Sequence, residues 1–167
     1  TVTLATSATS IAENAGTSLT LTATSSIAAD EDITVSISTS GTGTEGTDYA
    51  TISDITISAG ATTGTVSFTP TDDSIYEGNE TGIVAISGVS GADAAESGSQ
   101  SVTITITEND SSPTVTLATS ATSIAENAGS SLTLTATSSI AADEDITVSI
   151  STSGTGTEGT DYATISD

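Results

Sequence analysis

Residues 1–54 return as residues 114–167 with a single change, Thr17 becoming Ser130. Residue 1 reappears at position 114, so the period is 113 residues, the length of a domain rather than of a short solenoid coil. The chain therefore reads as one whole repeat over residues 1–110, a linker at 111–113 stiffened by Pro113, and the N-terminal half of a second repeat over 114–167. Three or four strands of a sandwich expose an apolar face and do not fold alone. The half repeat is thus expected to be completed by further chain or by a neighbouring molecule.

Within a repeat, apolar residues alternate with polar ones at the two-residue period of strands, and no segment shows a helical period. Seven strands are marked in this way. Val2 and Leu4 carry the first, and Leu19, Leu21 and Ala23 the second. Ile33, Val35 and Ile37 carry the third, Ile55 and Ile57 the fourth, and Val66 and Phe68 the fifth, which Pro70 closes. Val84 and Ile86, then Val102, Ile104 and Ile106, complete the set. Gly, Ser and Asp clusters punctuate them, as in an all-β, immunoglobulin-like antiparallel β-sandwich of about seven strands per repeat. Phe68 is the only Phe and there is no Trp or Met, so the expected core is thin and built from Val, Ile, Leu and Ala.

Charge is the second constraint. The chain holds 22 Asp and Glu but no Lys, Arg or His, so no side-chain salt bridge can form. Residues 72–80, DDSIYEGNE, put four carboxylates into nine positions. Two carboxylates about 5 Å apart repel by roughly 0.8 kcal/mol in water, and by several times that where water is partly excluded. Such a loop either stays open and hydrated or closes around cations from solution. A site made only of oxygens suits a hard ion, and calcium is the expectation.

The same composition argues against other roles. It offers nothing to nucleic-acid phosphates or anionic lipid, and no apolar run approaches a membrane span. Cys is absent, so there is no disulfide framework and no thiolate metal site. Without His, Cys or Lys a Ser nucleophile has no ordinary base, and three Tyr and one Phe make a poor sugar platform; no enzyme is expected. Gly41, Gly43 and Gly46 fit the G-x-G-x-x-G pattern, but no helix follows, and a tight β-connection explains them. Asp30, Glu31 and Asp32 read as a solvated turn, and Tyr49 as a packed residue. Thr103, Thr105 and Thr107 read as ordinary outward strand residues rather than an ice-binding ladder. Asn79-Glu80-Thr81 and Asn109-Asp110-Ser111 fit the N-glycosylation pattern, yet both fall among the acids proposed for the cation.

Four segments, in order, resemble the Calx-beta domain, a family first described in sodium–calcium exchangers and common in bacterial surface proteins. Ser10-Ile11-Ala12-Glu13-Asn14-Ala15-Gly16 is similar to its opening piece. Residues 43–49, GTEGTDY, are similar to its Gly-Thr…Asp-Tyr signature with one residue fewer before the second Gly. Residues 72–80 match its acidic loop, and residues 102–110, VTITITEND, its closing strand. In members that bind calcium these pieces meet at one end of the sandwich. The resemblance thus implies Glu13, Asp48, Asp72, Asp73, Glu77, Glu80 and Asp110 as Ca2+ ligands, with only Glu126 and Asp161 of that set present in the second repeat. Where the family carries a large apolar residue after the acidic loop, this chain has Gly82, which implies a core thinner still.

The functional expectation is a structural extender module of a secreted, cell-surface adhesin, stalk or matrix fibre, folded and stiffened by calcium and flanked by neighbouring repeats. The alternative is a self-assembling extracellular filament subunit whose half-domains are completed by strands of identical chains. A module recognising sugar or protein would need an exposed aromatic cluster, which the sequence does not offer.

Overall fold

The computed structural model describes residues 1–166; Asp167, the last residue of the given sequence, lies outside the described residues. Two compact units are present, Thr1–Asp110 and Ser111–Asp167. Strands and connections make up both, with no helix among the described residues.

The first unit contains β1 (Val2–Thr6), β2 (Ser10–Ala12), β3 (Leu19–Ser25), β4 (Ile33–Gly41), β5 (Ile55–Ile57), β6 (Thr63–Phe68), β7 (Ile75–Tyr76), β8 (Glu80–Ser90) and β9 (Ser101–Thr107). A three-stranded sheet in the order β1-β3-β6 packs on a five-stranded sheet in the order β2-β9-β8-β4-β5. The all-β sandwich and each of the seven strands read from alternation are borne out. Inward positions of both sheets meet in one core: Val2, Leu4, Leu21, Ala23 and Phe68 from the first, and Ile33, Val35, Ile55, Ile57, Val84, Ile86, Ile104 and Ile106 from the second. Each fully buried branched or aromatic side chain stabilises by about 1.5–3 kcal/mol relative to exposure.

Two departures from the expected antiparallel pattern position the acidic end. After β1 the chain leaves the first sheet and β2 joins the second, pairing in parallel with β9 through Ser10↔Thr105, Ile11↔Ile106 and Ala12↔Thr107. Because the pair is parallel, Glu13 and Glu108 leave their strands at the same end, with the Glu13 amide donating to the Thr107 carbonyl at 3.0 Å. The second departure is a bulge in the β4–β8 ladder between Ser36 and Ile37. Asp54 occupies it: its carboxylate accepts from the Ile37 amide at 2.9 Å and from the Ser36 hydroxyl at 3.1 Å. With no cationic side chain available, backbone amides and hydroxyls are the donors that carboxylates find.

Three expectations need correction. Gly82 does not thin the core. A Cβ there would stand 2.8 Å from Phe68 Cε2 and 3.5 Å from Tyr49 Cε1. The Phe68 ring, stacked on Tyr49 with centroids 4.7 Å apart, fills the space a larger residue would take. Nor is the 30–32 turn merely solvated. Its side chains are exposed, but Glu31 accepts from the Ala92 amide at 2.6 Å and Asp32 from the Ala59 amide at 2.8 Å, so the turn ties down two other loops. The Gly41–Gly46 stretch opens a connection over residues 42–54 rather than a tight turn, and Gly41 serves the close approach of β4 to β8: it sits at φ +124°, where a Cβ would run into the Thr81 carbonyl oxygen.

The second unit holds β10 (Val115–Thr119), β11 (Leu134–Ser138) and β12 (Ala141–Ala142). β10 and β11 pair antiparallel in the register that β1 and β3 use, Val115↔Ser138 standing for Val2↔Ser25. Residues 146–154, which repeat the sequence of β4, form no strand.

Candidate metal centre

Seven acids were expected to converge as one set. The structure gathers six of them, as two triads. Glu13, Asp73 and Asp110 each place a carboxylate oxygen within 4.8 Å of the others, and so do Asp48, Glu77 and Glu80. Glu13 follows β2, Asp73 lies in the β6–β7 loop and Asp110 follows β9. Asp48 lies in the β4–β5 connection, while Glu77 follows β7 and Glu80 opens β8. Asp72 stands outside both triads: its Oδ1 accepts from the Asn109 side-chain amide at 3.3 Å, and the residue is exposed.

The carboxylate that organises this end, Glu108, lies outside the seven expected from the sequence. Glu108 Oε2 accepts from the amides of Glu77 at 2.7 Å and Gly78 at 2.9 Å, and its Oε1 accepts from the amides of Asn109 at 2.8 Å and Asp110 at 2.7 Å. Gly78, at φ +74°, lets two consecutive amides face one oxygen, the concave arrangement that holds anions. Burial pushes the Glu108 carboxyl up, but the amides of Asp110, Glu77, Gly78 and Asn109 together hold it below the usual range. A signal was present. Val102, Ile104, Ile106 and Glu108 share one phase, so Glu108 continues the inward face of β9.

The acids beside it are in the opposite condition. Glu13, buried at 6% exposure, is raised above the usual range by burial, against one lowering hydrogen bond from the Asp73 amide at 3.1 Å; the charges of Glu108 and Asp73 add to the rise. Asp110 is raised by burial and by the charges of Glu108, Asp72 and Asp73. Its Oδ2 is buried with no hydrogen-bond partner. A buried, unpartnered carboxylate oxygen is unfavourable unless something positive faces it. The donor set around it is all oxygen, which fits a hard divalent cation.

The second triad is held differently. Asp48 is buried at 8% exposure; the Thr44 amide donates to its Oδ2, and its own carbonyl accepts from the Thr71 amide at 2.9 Å. Glu45, also unassigned from sequence, braces the same loop by accepting from the Thr39 hydroxyl and the Ile52 amide, both at 2.6 Å. Beneath lies Tyr49, buried against Phe68; burial raises its phenol, the Thr39 hydrogen bond opposes this, and the charges of Glu45, Asp48 and Glu80 add to it.

The family model of the Calx-beta domain matches residues 1–110 and again residues 108–167. Among solved structures, the apo-form Calx CBD1 domain is similar at 17% identity and a TM-score of 0.50, covering 66% of this chain and 98% of that one. CBD12 from CALX1.2 is similar at 16% identity and a TM-score of 0.50, covering 60% of this chain. The calcium binding domain CBD12 of CALX1.1 is similar at 18% identity and a TM-score of 0.49, covering 58%. This chain spans 41% of the length of each of the last two. A search of curated proteins returned no match.

Proposed function

The chain belongs to the Calx-beta domain family, and from that premise we propose that it is a calcium-binding structural module, an extender repeat of a secreted cell-surface adhesin, stalk or matrix fibre. The observation that carries the calcium reading is the buried, unpartnered Oδ2 of Asp110 beside Glu13 and Asp73, in a chain with no cationic side chain to face it. Glu13, Asp73 and Asp110 would hold one calcium ion, with Asp72 adding negative charge beside them. Asp48, Glu77 and Glu80 would hold a second. A bound cation supplies the counter-charge that the sequence lacks.

What the protein itself contributes is the placement of the acids. The parallel β2–β9 pair brings Glu13 and Glu108 to one end. Glu108, satisfied by four backbone amides, fixes the turn at Glu77–Gly78 and the strand end at Asp110 at once. Ligands from distant parts of the chain are thereby pinned before any ion arrives. Binding to the folded state alone then adds stability by mass action, about 2.7 kcal/mol at a hundredfold excess over Kd.

The extender role follows from the tandem repeat and from where the aromatic residues lie. Tyr49 and Phe68 are inside the core, so the first unit offers neither of them to a sugar or peptide ligand. No described helix is long and apolar enough to cross a membrane. Near-identical repeats, strong acidity and an all-oxygen cation centre suit the outside of a cell, where calcium is abundant.

The test is the melting temperature of the protein in calcium, in magnesium and in chelator. Calcium is expected to raise it selectively, because magnesium demands a stricter octahedron and sheds water reluctantly. Equal melting in all three would remove the cation reading and leave a β-sandwich spacer.

A further inference from the structure

The first and last strands of the first unit lie side by side and run the same way. Val2 forms a parallel bridge with Glu96: its amide donates to the Ala95 carbonyl and its carbonyl accepts from the Ser97 amide, both at 2.9 Å. The Leu4 amide donates to Gln100 Oε1 at 3.3 Å. Farther on, the Thr9 carbonyl accepts from the Thr105 amide at 2.9 Å, and Ser10, Ile11 and Ala12 pair in parallel with Thr105, Ile106 and Thr107. The Glu13 amide closes the run on the Thr107 carbonyl at 3.0 Å. Residues 2–13 and 95–107 thus advance together along the sandwich.

Position 114, the counterpart of residue 1, follows the 111–113 linker. In a tandem chain, tension therefore enters a repeat at its first residue and leaves it at Asp110. Two segments that run in one direction are then pulled in opposite directions along their own axes. The bonds between them lie across the pull. So do the ladders that tie β1 to β3 through five register pairs and β9 to β8 through six. Bonds that cross the load share it and must break together, whereas bonds reached one at a time from a strand end open like a zipper.

We propose that this parallel alignment of the terminal segments is a mechanical clamp, which makes the first unit resist tension applied along the chain. Gln100 is part of the clamp. Its Oε1 holds the Leu4 amide, its Nε2 donates to the Ser97 carbonyl at 2.7 Å, and its own amide donates to the Glu96 carboxylate. One residue thereby fixes the 96–100 loop against β1, the edge strand of its sheet. An extender repeat has a use for such a clamp, but the clamp depends on neither that role nor a bound cation.

The experiment changes the direction of pull. The chain has no Cys, so thiol handles can be placed singly, and Thr1, Ser99 and Ser112 are exposed. In the 167-residue chain, Thr1→Cys with Ser112→Cys loads the clamp in shear. Thr1→Cys with Ser99→Cys puts both handles at the end where the two segments start and leaves β9 outside the loaded stretch. Both are held at constant force in chelator, so the outcome is independent of the cation reading, which the melting test decides. The second pair is expected to unfold about tenfold or more faster at the same force, because its bonds open in turn.

Two further variants are pulled in the shear geometry, so that the proposal does not hang on one handle position. Ile57 is buried in β5, away from both terminal segments, and its contacts are still intact when the clamp breaks. Ile57→Val should therefore lose stability in urea yet unfold under force at the unchanged rate. Gln100→Ala should unfold under force about threefold or more faster. Equal rates in the two pulling geometries overturn the proposal, as does equal acceleration by the two variants.

Discussion

Glu108 Oε2 accepts the amide proton of Gly78 at 2.9 Å across thirty residues of sequence, and the same oxygen takes the neighbouring Glu77 amide at 2.7 Å. A carboxylate in this position does the work that an Arg or Lys would do elsewhere: it ties a loop to a strand end, using backbone dipoles as the positive partner. Glu108→Gln keeps the shape but turns an NH2 toward one of the two pairs of amide donors. The expected cost is about 1–2 kcal/mol, the lower part of the roughly 1.5–3 kcal/mol for hydrogen bonds to a charged group, reduced because the site is half-exposed. Urea denaturation in chelator measures it without interference from metal. An unchanged midpoint would show that the four amides are equally content with water.

Much of this fold was legible because its strands are regular. Two-residue alternation marks β1, β3, β4, β5, β6, β8 and β9, and Gly, Ser and Pro mark where they stop. β2 carries no mark in the sequence, because three residues with one buried side chain, Ile11, show no period, and its parallel partner β9 lies ninety-five residues on. The acids of the centre were recognisable from the resemblance, but their division into two triads depends on where loops from β2, β4, β6 and β9 end in space. Asp72 and Asp73 are neighbours in sequence with different surroundings: one meets Asn109, the other Glu13 and Asp110. Glu108 is marked in the sequence only by its phase on β9, a weak signal in a chain so rich in acids.

Gly82 is a packing residue. Its missing Cβ leaves the room that the Phe68 ring occupies, with Phe68 Cε2 and Cζ 2.8 and 2.9 Å from where a Cβ would sit. Gly82→Ala is expected to destabilise by about 1–3 kcal/mol through overpacking, and Phe68→Ala by about 3–5 kcal/mol through the cavity it leaves. The double variant should cost less than the sum of the two, since removing the ring makes room for the methyl group. Additive losses in thermal or urea unfolding would place the two side chains in separate packing environments.

Asp110 and Glu13 should show opposite effects in the two buffers. Both are raised by burial and by neighbouring acids, so in chelator their charges work against the fold. Asp110→Asn and Glu13→Gln are expected to raise the melting temperature in chelator while weakening calcium binding about tenfold or more, which is 1.4 kcal/mol per factor of ten. Calorimetric titration and melting of the same samples check both halves. A variant that loses stability in chelator would show that the carboxylate is held by partners rather than strained by them.

The pH dependence follows from the same shifts, and its sign differs between acids. Glu13 and Asp110 have folded pKa values above their unfolded ones, so the folded state takes up protons first as pH falls from neutral. Their contribution therefore rises with acidification through the window just above the ordinary carboxylate range of roughly 4. Glu108 is lowered, so its contribution is present above the unfolded pKa and is lost as pH drops below it. In chelator the melting temperature should climb on mild acidification, pass through a maximum and then fall. In calcium the early rise should vanish, because protons must displace the ion to reach the same oxygens, and the two curves should meet at low pH. Melting scans from neutral down to about pH 3 in both buffers show this directly. A chelator curve that falls monotonically from neutral pH would mean that Glu13 and Asp110 are not strained in the metal-free fold, and the case for a cation beside them would lose its physical basis.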